Sequence, residues 1–222
     1  MRKVIIGLGT GRCGTKTLAH LLNIQDDCSC THERLDVSLV RGKNWFRKSV
    51  VPSTALMVLD DLANRKEPVV GDVACWWLDS IPLMLDYDGL DIRFICLKRD
   101  KEKTIDSLSR LYEKPIIPRI YKAMEKYYDD YYKDFGKYAW KHPESFAIFS
   151  TENLNSLDGQ KEILNFAGFE NHQYDVGKRL NKRGKPDEAF VDYWNRVRMA
   201  VRSLQRGESV GDYPFSVKPL GS

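Results

Sequence analysis

Short apolar segments alternate along the chain with longer stretches whose apolar residues recur every three or four positions. The short segments are rich in β-branched residues and are followed by polar ones, a pattern typical of strands buried on both faces of a parallel sheet. The longer stretches have the spacing of amphipathic helices. The pattern predicts strands at residues 4–8, 28–31, 69–73, 92–97 and 146–149. It predicts helices at residues 15–23, 53–65, 100–112, 118–140, 157–167 and 187–205.

Strands that alternate with helices indicate an α/β fold built on a mainly parallel sheet. We expect a single domain over residues 1–222, a three-layer sandwich whose central sheet has four or five strands. Two helix ends carry capping signals. Ser53 or Thr54 is predicted to be an N-cap, and Gly168 is predicted to be a C-cap.

Composition narrows the class of protein. Hydrophobic residues make up 42% of the 222 positions, enough to form a core. Charged residues make up 30% and aromatic residues 11%, a composition that excludes a low-complexity disordered chain. Apolar runs are too short for a transmembrane helix or a secretory leader, so we expect a cytoplasmic protein with no membrane partner. The net charge of +4 is too small to indicate nucleic-acid binding. The five cysteines are expected to be free thiols.

The strongest local signal is a glycine-rich turn between the first predicted strand and the first predicted helix. Gly9, Gly11 and Gly14 lie in this turn. A turn of this kind presents backbone N–H groups and a helix N-terminus to an anion. Three classes of nucleotide-binding protein use such a turn, and the residues around the glycines discriminate between them.

Dinucleotide binding is the first alternative. Gly9, Gly11 and Gly14 match the spacing G-x-G-x-x-G, and Glu33 lies 19 residues beyond Gly14, near the position of a ribose-binding acid. Arg12 argues against this alternative, because a cation inside the turn is not needed to bind a pyrophosphate.

A nucleoside triphosphate P-loop is the second alternative. Gly9 and Gly14 have the spacing of its first half, but the next residue should be lysine. That position holds Thr15, and Lys16 follows one place late. The shift matters because the P-loop lysine must reach the β- and γ-phosphates.

Residues 12–16, Arg-Cys-Gly-Thr-Lys, resemble the 5′-phosphosulfate loop of the sulfotransferases, in which the cation sits inside the turn. Downstream, Arg99 ends a predicted strand and Ser107 lies eight residues later, about two turns into a helix. This pair resembles the 3′-phosphate motif of the same family, in which an arginine and a serine share one phosphate.

Two further segments resemble the same family. Residues 150–154 and 163–169 resemble its E-x-L and F-x-G segment, for which a packing role is expected. Lys182, Arg183 and Gly184 resemble its Arg-Lys-Gly loop with the two bases exchanged, and a solvated basic loop is the alternative. The resemblance extends over roughly residues 4–190 and implies a fold related to the P-loop NTPases.

The resemblance implies 3′-phosphoadenosine 5′-phosphosulfate (PAPS) as donor and adenosine 3′,5′-bisphosphate (PAP) as product, with no metal. A sulfuryl group would pass in line to a hydroxyl or amine of a small-molecule or glycan acceptor. Arg12 would neutralise the leaving oxygen. A zinc site at Cys28, Cys30 and His32 is not expected from their spacing. The implied donor-binding residues are Gly11, Arg12, Cys13, Gly14, Thr15, Lys16, Thr17, Arg99, Ser107, Lys182, Arg183 and Gly184.

A sulfuryl transfer also needs a base for the acceptor proton. His32 and Glu33 follow the second predicted strand, and the family uses either a histidine or a glutamate, with the glutamate branches carrying it near this point. We therefore expect Glu33 to be the base, with His32 as second candidate. Asp72 is a third candidate or a substrate-orienting group.

The acceptor side is less well marked. Trp76 and Trp77 are candidate substrate-binding residues, although core packing explains them equally well. The tyrosines between residues 127 and 132 have helical spacing, which favours core packing. Three alternatives to a sulfotransferase stay open: a P-loop kinase, an oxidoreductase that binds NAD(P), and a nucleotide-binding module without activity.

Overall fold

The carboxyl ends of five parallel strands meet at one edge of the sheet. The glycine turn follows the central strand and therefore lies beside the loops that follow the adjacent strands. The computed structural model describes residues 2–35, 40–42, 46–109 and 118–177. The strands are β1 (Arg2–Leu8), β2 (Cys28–His32), β3 (Val40–Gly42), β4 (Lys48–Val50), β5 (Val69–Val73), β6 (Leu90–Lys98) and β7 (Phe146–Ser150). The helices are α1 (Thr15–Asn23), α2 (Pro52–Ala63), α3 (Ile81–Leu85), α4 (Lys101–Ser109), α5 (Pro118–Lys141) and α6 (Leu157–Ala167).

The central sheet has the strand order β2-β5-β1-β6-β7, and all of its neighbouring pairs are parallel. β1 is central: Ile6 is paired with Asp72 on one side and with Phe94 on the other. From β1 the chain first builds the β2 and β5 side and then crosses to the β6 and β7 side. The carboxyl end of β1 is therefore a topological switch point, the place where open α/β sheets bind their ligands.

Two helical layers cover the sheet, because alternate side chains of each strand point to opposite faces. Val4, Ile6 and Leu8 of β1 are buried against α2, α3 and α5. Ile5 is buried on the other face, against α1 and α6. The structure thus confirms the three-layer α/β sandwich with a parallel sheet of five strands. Residues 1–180 form one compact unit, and the expectation of a single domain through residue 222 stays a prediction.

Several local features differ from the sequence predictions. The N-cap of α2 is Val51, without a side-chain cap, so the prediction of Ser53 or Thr54 was wrong. Pro52 starts this helix because its ring already has the helical φ and its missing N–H costs nothing in the first turn. Gly168 does cap α6 in the left-handed conformation. The antiparallel β3–β4 hairpin, α3 and two 3-10 helices, Cys75–Ser80 and Thr151–Asn155, were not predicted.

The predicted helix at residues 187–205 lies outside the described residues. Within the part of the chain that the structure describes, no helix is long and apolar enough to cross a membrane. All five cysteines are free thiols.

Candidate functional site

The glycine turn joins β1 to α1 in a sharply bent conformation. Gly11, Arg12 and Gly14 all have positive φ angles, of 75°, 57° and 96°. Gly14 is the N-cap of α1, and its carbonyl accepts the Leu18 N–H. A side chain at Gly14 would also be strained by contact, because its Cβ would lie 2.9 Å from Leu154 Cδ1. The turn therefore opens α1 toward the sheet edge, where its first N–H groups are available to an anion.

Cys13 anchors this turn from the inside. Its side chain is fully buried, and burial raises the pKa of its thiol to about 11. A neutral buried thiol is inert rather than nucleophilic, so Cys13 acts through packing. The Thr151 hydroxyl, at the start of the segment after β7, donates to the Cys13 carbonyl at 2.7 Å. The turn is therefore tied to the segment that follows β7, two strands away in the sheet, a contact that sequence reasoning did not identify.

Three residues from separate segments meet beside the turn. Arg12 Nε donates to Ser107 Oγ at 3.2 Å, and Arg99 Nη1 donates to the Arg12 carbonyl at 3.0 Å. Loss of solvation and the neighbouring Arg99 charge lower the pKa of Arg12. Arginine stays protonated at neutral pH, so two cations stand close together here. A bound anion would relieve their repulsion.

An open pocket of about 460 Å³ lies between the ends of β6 and β7 and includes Arg99, whereas Arg12 and Ser107 do not line it. Arg99, Lys101, Tyr128, Ile148 and Glu152 are among the residues that line it. It is large enough for part of a nucleotide-sized ligand, and its walls combine charged and apolar groups.

The carboxyl ends of β2 and β5 form a second group of titratable residues. His32 Nε2 lies 3.2 Å from Thr15 Oγ1, so β2 touches the start of α1. Burial lowers the pKa of His32; the nearby Glu33 and Asp72 oppose this and Lys16 reinforces it, and the net shift is downward. A larger fraction of the imidazole is therefore neutral near pH 7. Glu33 is exposed and has a left-handed backbone with φ 52°, held by its N–H bond to the Val73 carbonyl.

Asp72 is fully buried beneath His32 and Glu33. Its carboxylate accepts from Thr31 Oγ1 at 2.7 Å, from Trp77 Nε1 at 2.8 Å and from the Arg34 N–H at 3.3 Å. Burial nevertheless raises the pKa of Asp72. Its burial and its three hydrogen bonds indicate that Asp72 stabilises the carboxyl ends of β2 and β5.

The remaining predicted site residues are distributed as follows. Lys16 is exposed and Thr17 is half-buried in the first turn of α1. Trp76 and Trp77, which were predicted to bind substrate or to pack in the core, are buried in the core and screened from solvent. The predicted basic loop, Lys182 to Gly184, lies outside the described residues. Among the described residues, no group of three His, Cys, Asp or Glu side chains has the arrangement of a metal site.

Comparison with protein-family models and with curated proteins finds no match for the chain. Among solved structures, it is similar to a sulfotransferase from Alicyclobacillus acidocaldarius, with 14% identity, a TM-score of 0.54 and coverage of 95% of this chain and 98% of that one. A shikimate kinase from Bacteroides thetaiotaomicron is more distant, with 15% identity, a TM-score of 0.42 and coverage of 74% and 94%. At such identities the first likeness shows the fold alone. With the strand order and the glycine turn, it confirms a P-loop-type α/β fold.

Proposed function

We propose that this protein is a sulfotransferase that uses PAPS as sulfuryl donor. The observation that carries the proposal is the meeting of Arg12, Arg99 and Ser107 beside the glycine turn. A donor with phosphate groups on both its 5′ and 3′ oxygens needs cationic contacts at two points. A dinucleotide enzyme has no need for the Arg99 and Ser107 pair, and a P-loop kinase needs a lysine where Thr15 stands.

The donor side divides into two parts. The backbone N–H groups at the start of α1, with the hydroxyls of Thr15 and Thr17, would hold the 5′ phosphosulfate. Arg12 would stabilise the charge that develops on the leaving phosphate oxygen. Arg99 and Ser107 would bind the 3′-phosphate, the arginine through charge-assisted bonds and the serine through its hydroxyl.

The geometry favours His32 over Glu33 as the base, against the expectation from the family resemblance alone. His32 touches Thr15 at the turn, whereas Glu33 is exposed. A neutral imidazole would take the proton of the acceptor hydroxyl or amine as the new bond to sulfur forms. The bond between sulfur and the 5′-phosphate oxygen would break in the same step, and PAP would leave with its electron pair.

Ligand-induced stabilisation tests the donor class. The thermal midpoint of the full chain is measured with PAP, with ATP and magnesium, and with NAD. We expect stabilisation by PAP alone. A ligand that binds only the folded state, present at 100 times its Kd, adds about 2.7 kcal/mol to the free energy of unfolding. Stabilisation by ATP and magnesium without an effect of PAP would overturn the proposal in favour of a kinase.

Activity is then measured as transfer from radiolabelled PAPS to a panel of small alcohols, phenols, amines and sugars. The proposal expects label in at least one acceptor class, together with stoichiometric PAP. Binding of PAP without transfer to any of these acceptors, and without hydrolysis of the donor, would instead indicate a nucleotide-binding module.

A further inference from the structure

The buried face of α5 carries four tyrosines directly beneath the candidate site. Tyr127, Tyr128, Tyr131 and Tyr132 are each at most 7% exposed. Their spacing places them on one helical face, as expected for core residues. Leucine or phenylalanine would fill such a face equally well, so the four hydroxyls call for a separate explanation.

Tyr131 connects two loops at the sheet edge. Its hydroxyl oxygen accepts the Gly9 N–H at 3.0 Å, and the hydroxyl donates to the Cys75 carbonyl at 3.2 Å. Gly9 is the first residue of the glycine turn, and Cys75 begins the 3-10 helix after β5. One buried hydroxyl therefore satisfies a backbone donor and a backbone acceptor that have no partners within a sheet ladder.

The other three hydroxyls contact the glycine turn or the carboxyl end of β6. Tyr127 donates to the Thr10 carbonyl at 3.2 Å. Tyr132 donates to the Leu97 carbonyl at 2.8 Å, and its oxygen lies 3.3 Å from Thr10 Oγ1. Tyr128 donates to the Arg99 carbonyl. Together the four side chains contact the ends of β1, β5 and β6.

The same helix provides an internal contrast. Phe135 continues this face one turn further on, where the helix packs against Phe146 of β7. Tyr138 also packs against Phe146, at a ring-centroid distance of 6.0 Å. The tyrosine hydroxyls that hydrogen-bond to the loops therefore lie on the part of α5 beneath the candidate site.

We infer that the four α5 tyrosines are positioning residues, which set the backbone of the glycine turn relative to Arg99. This inference deepens the proposed function, and its choice of nucleotide probe rests on it. Removal of a hydroxyl would leave a buried N–H or carbonyl without its partner, and the turn would shift to find another. The N–H groups that face the ligand would then lose their alignment, although the aromatic core is kept.

Tyr131→Phe is the direct test, and Tyr138→Phe is its matched control on the same helix. Hydrogen exchange of the peptide over residues 9–17 is measured without ligand, together with the Kd for PAP. In Tyr131→Phe we expect faster exchange in this peptide and PAP binding weakened about fivefold to tenfold. This size of effect corresponds to the loss of one to two buried hydrogen bonds. In Tyr138→Phe both values should stay within about twofold of wild type.

Unchanged exchange of residues 9–17 in Tyr131→Phe would overturn the inference. Exchange that rises equally in β5 and β6 would also overturn it, because that result describes general destabilisation rather than positioning. If wild type itself does not bind PAP, the proposed function fails, while the exchange measurement still decides this inference. Tyr127→Phe, which loses a single bond to Thr10, serves if Tyr131→Phe does not fold.

Discussion

The two corners of the sheet on either side of β1 bring together different kinds of ionisable groups. At the β6 corner, two arginines stand close together: Arg12 donates to Ser107, and Arg99 donates to the Arg12 carbonyl. At the β2 and β5 corner, burial shifts two groups toward their neutral forms. It lowers the pKa of His32 and raises the pKa of Asp72.

Under the proposed function, the two corners would carry separate chemistry. Cations held side by side are suited to a ligand with several negative charges. A histidine whose pKa is lowered by burial is suited to accept a proton. The glycine turn lies between them and contacts both, through Arg12 on one side and Thr15 on the other. Binding and proton transfer should therefore respond separately to substitution.

The largest expected effect lies at the β2 corner. His32→Gln removes the proposed base, so transfer from PAPS to the best acceptor of the panel should fall about 10²- to 10⁴-fold. The Kd for PAP should stay within about threefold, because His32 itself is not a proposed donor contact and glutamine can keep a hydrogen bond to Thr15 Oγ1. Steady-state kinetics and calorimetry measure the two quantities.

Glu33→Gln is the matched control for this prediction. It changes the adjacent residue on the same strand end, and transfer should fall by no more than about threefold. The reverse pattern, with activity lost in Glu33→Gln and kept in His32→Gln, would make Glu33 the base.

An intermediate effect is expected at the β6 corner. Arg99→Ala should weaken PAP about 10- to 100-fold, since a hydrogen bond to a charged group contributes about 1.5–3 kcal/mol. Adenosine 5′-monophosphate, which lacks the 3′-phosphate, should lose no more than about threefold. Equal losses for the two nucleotides would remove the 3′-phosphate assignment. Arg93→Ala, the same change within β6 rather than just after it, should leave both affinities unchanged.

The smallest expected effect is a displacement of the pH profile. If neutral His32 is the base, activity is lost as the pH falls through its pKa, and burial places that pKa below the ordinary value of about 6.5. The acid limb of kcat/KM for the acceptor, measured at saturating PAPS, should therefore lie below about pH 6.5. A limb above that value would contradict the lowered pKa, and the limb should vanish in His32→Gln.

The regular elements were the predictable part of the fold. The bounds of α1 and α6 agree with the sequence predictions, because both helices have a strong apolar period and a glycine at one end. The β3–β4 hairpin was missed because its two strands have only three residues each, too few to show a period. The cap of α2 was misplaced because Pro52, rather than a side-chain acceptor, sets where that helix begins.

The residues of the candidate site also divide into those that the sequence predicted and those that it could not predict. Arg12, Arg99 and Ser107 were singled out by their resemblance to two sulfotransferase motifs, and the structure brings them together because parallel strands end at one edge of the sheet. The contribution of Tyr131 was not predictable, since its partner Gly9 is 122 positions away. Helical period shows that a side chain is buried, but not which backbone group its hydroxyl meets.

The sequence by itself thus determined the α/β class, the glycine turn and the cations around it, because these depend on local spacing and on the direction of parallel strands. Only the tertiary structure decided that Asp72 and the two tryptophans are buried, that His32 contacts Thr15 at the turn, and that tyrosines of α5 hydrogen-bond to Gly9 and Thr10. Burial and hydrogen-bond partners arise from contacts between distant segments, and these contacts set the pKa of a side chain and the rigidity of a loop.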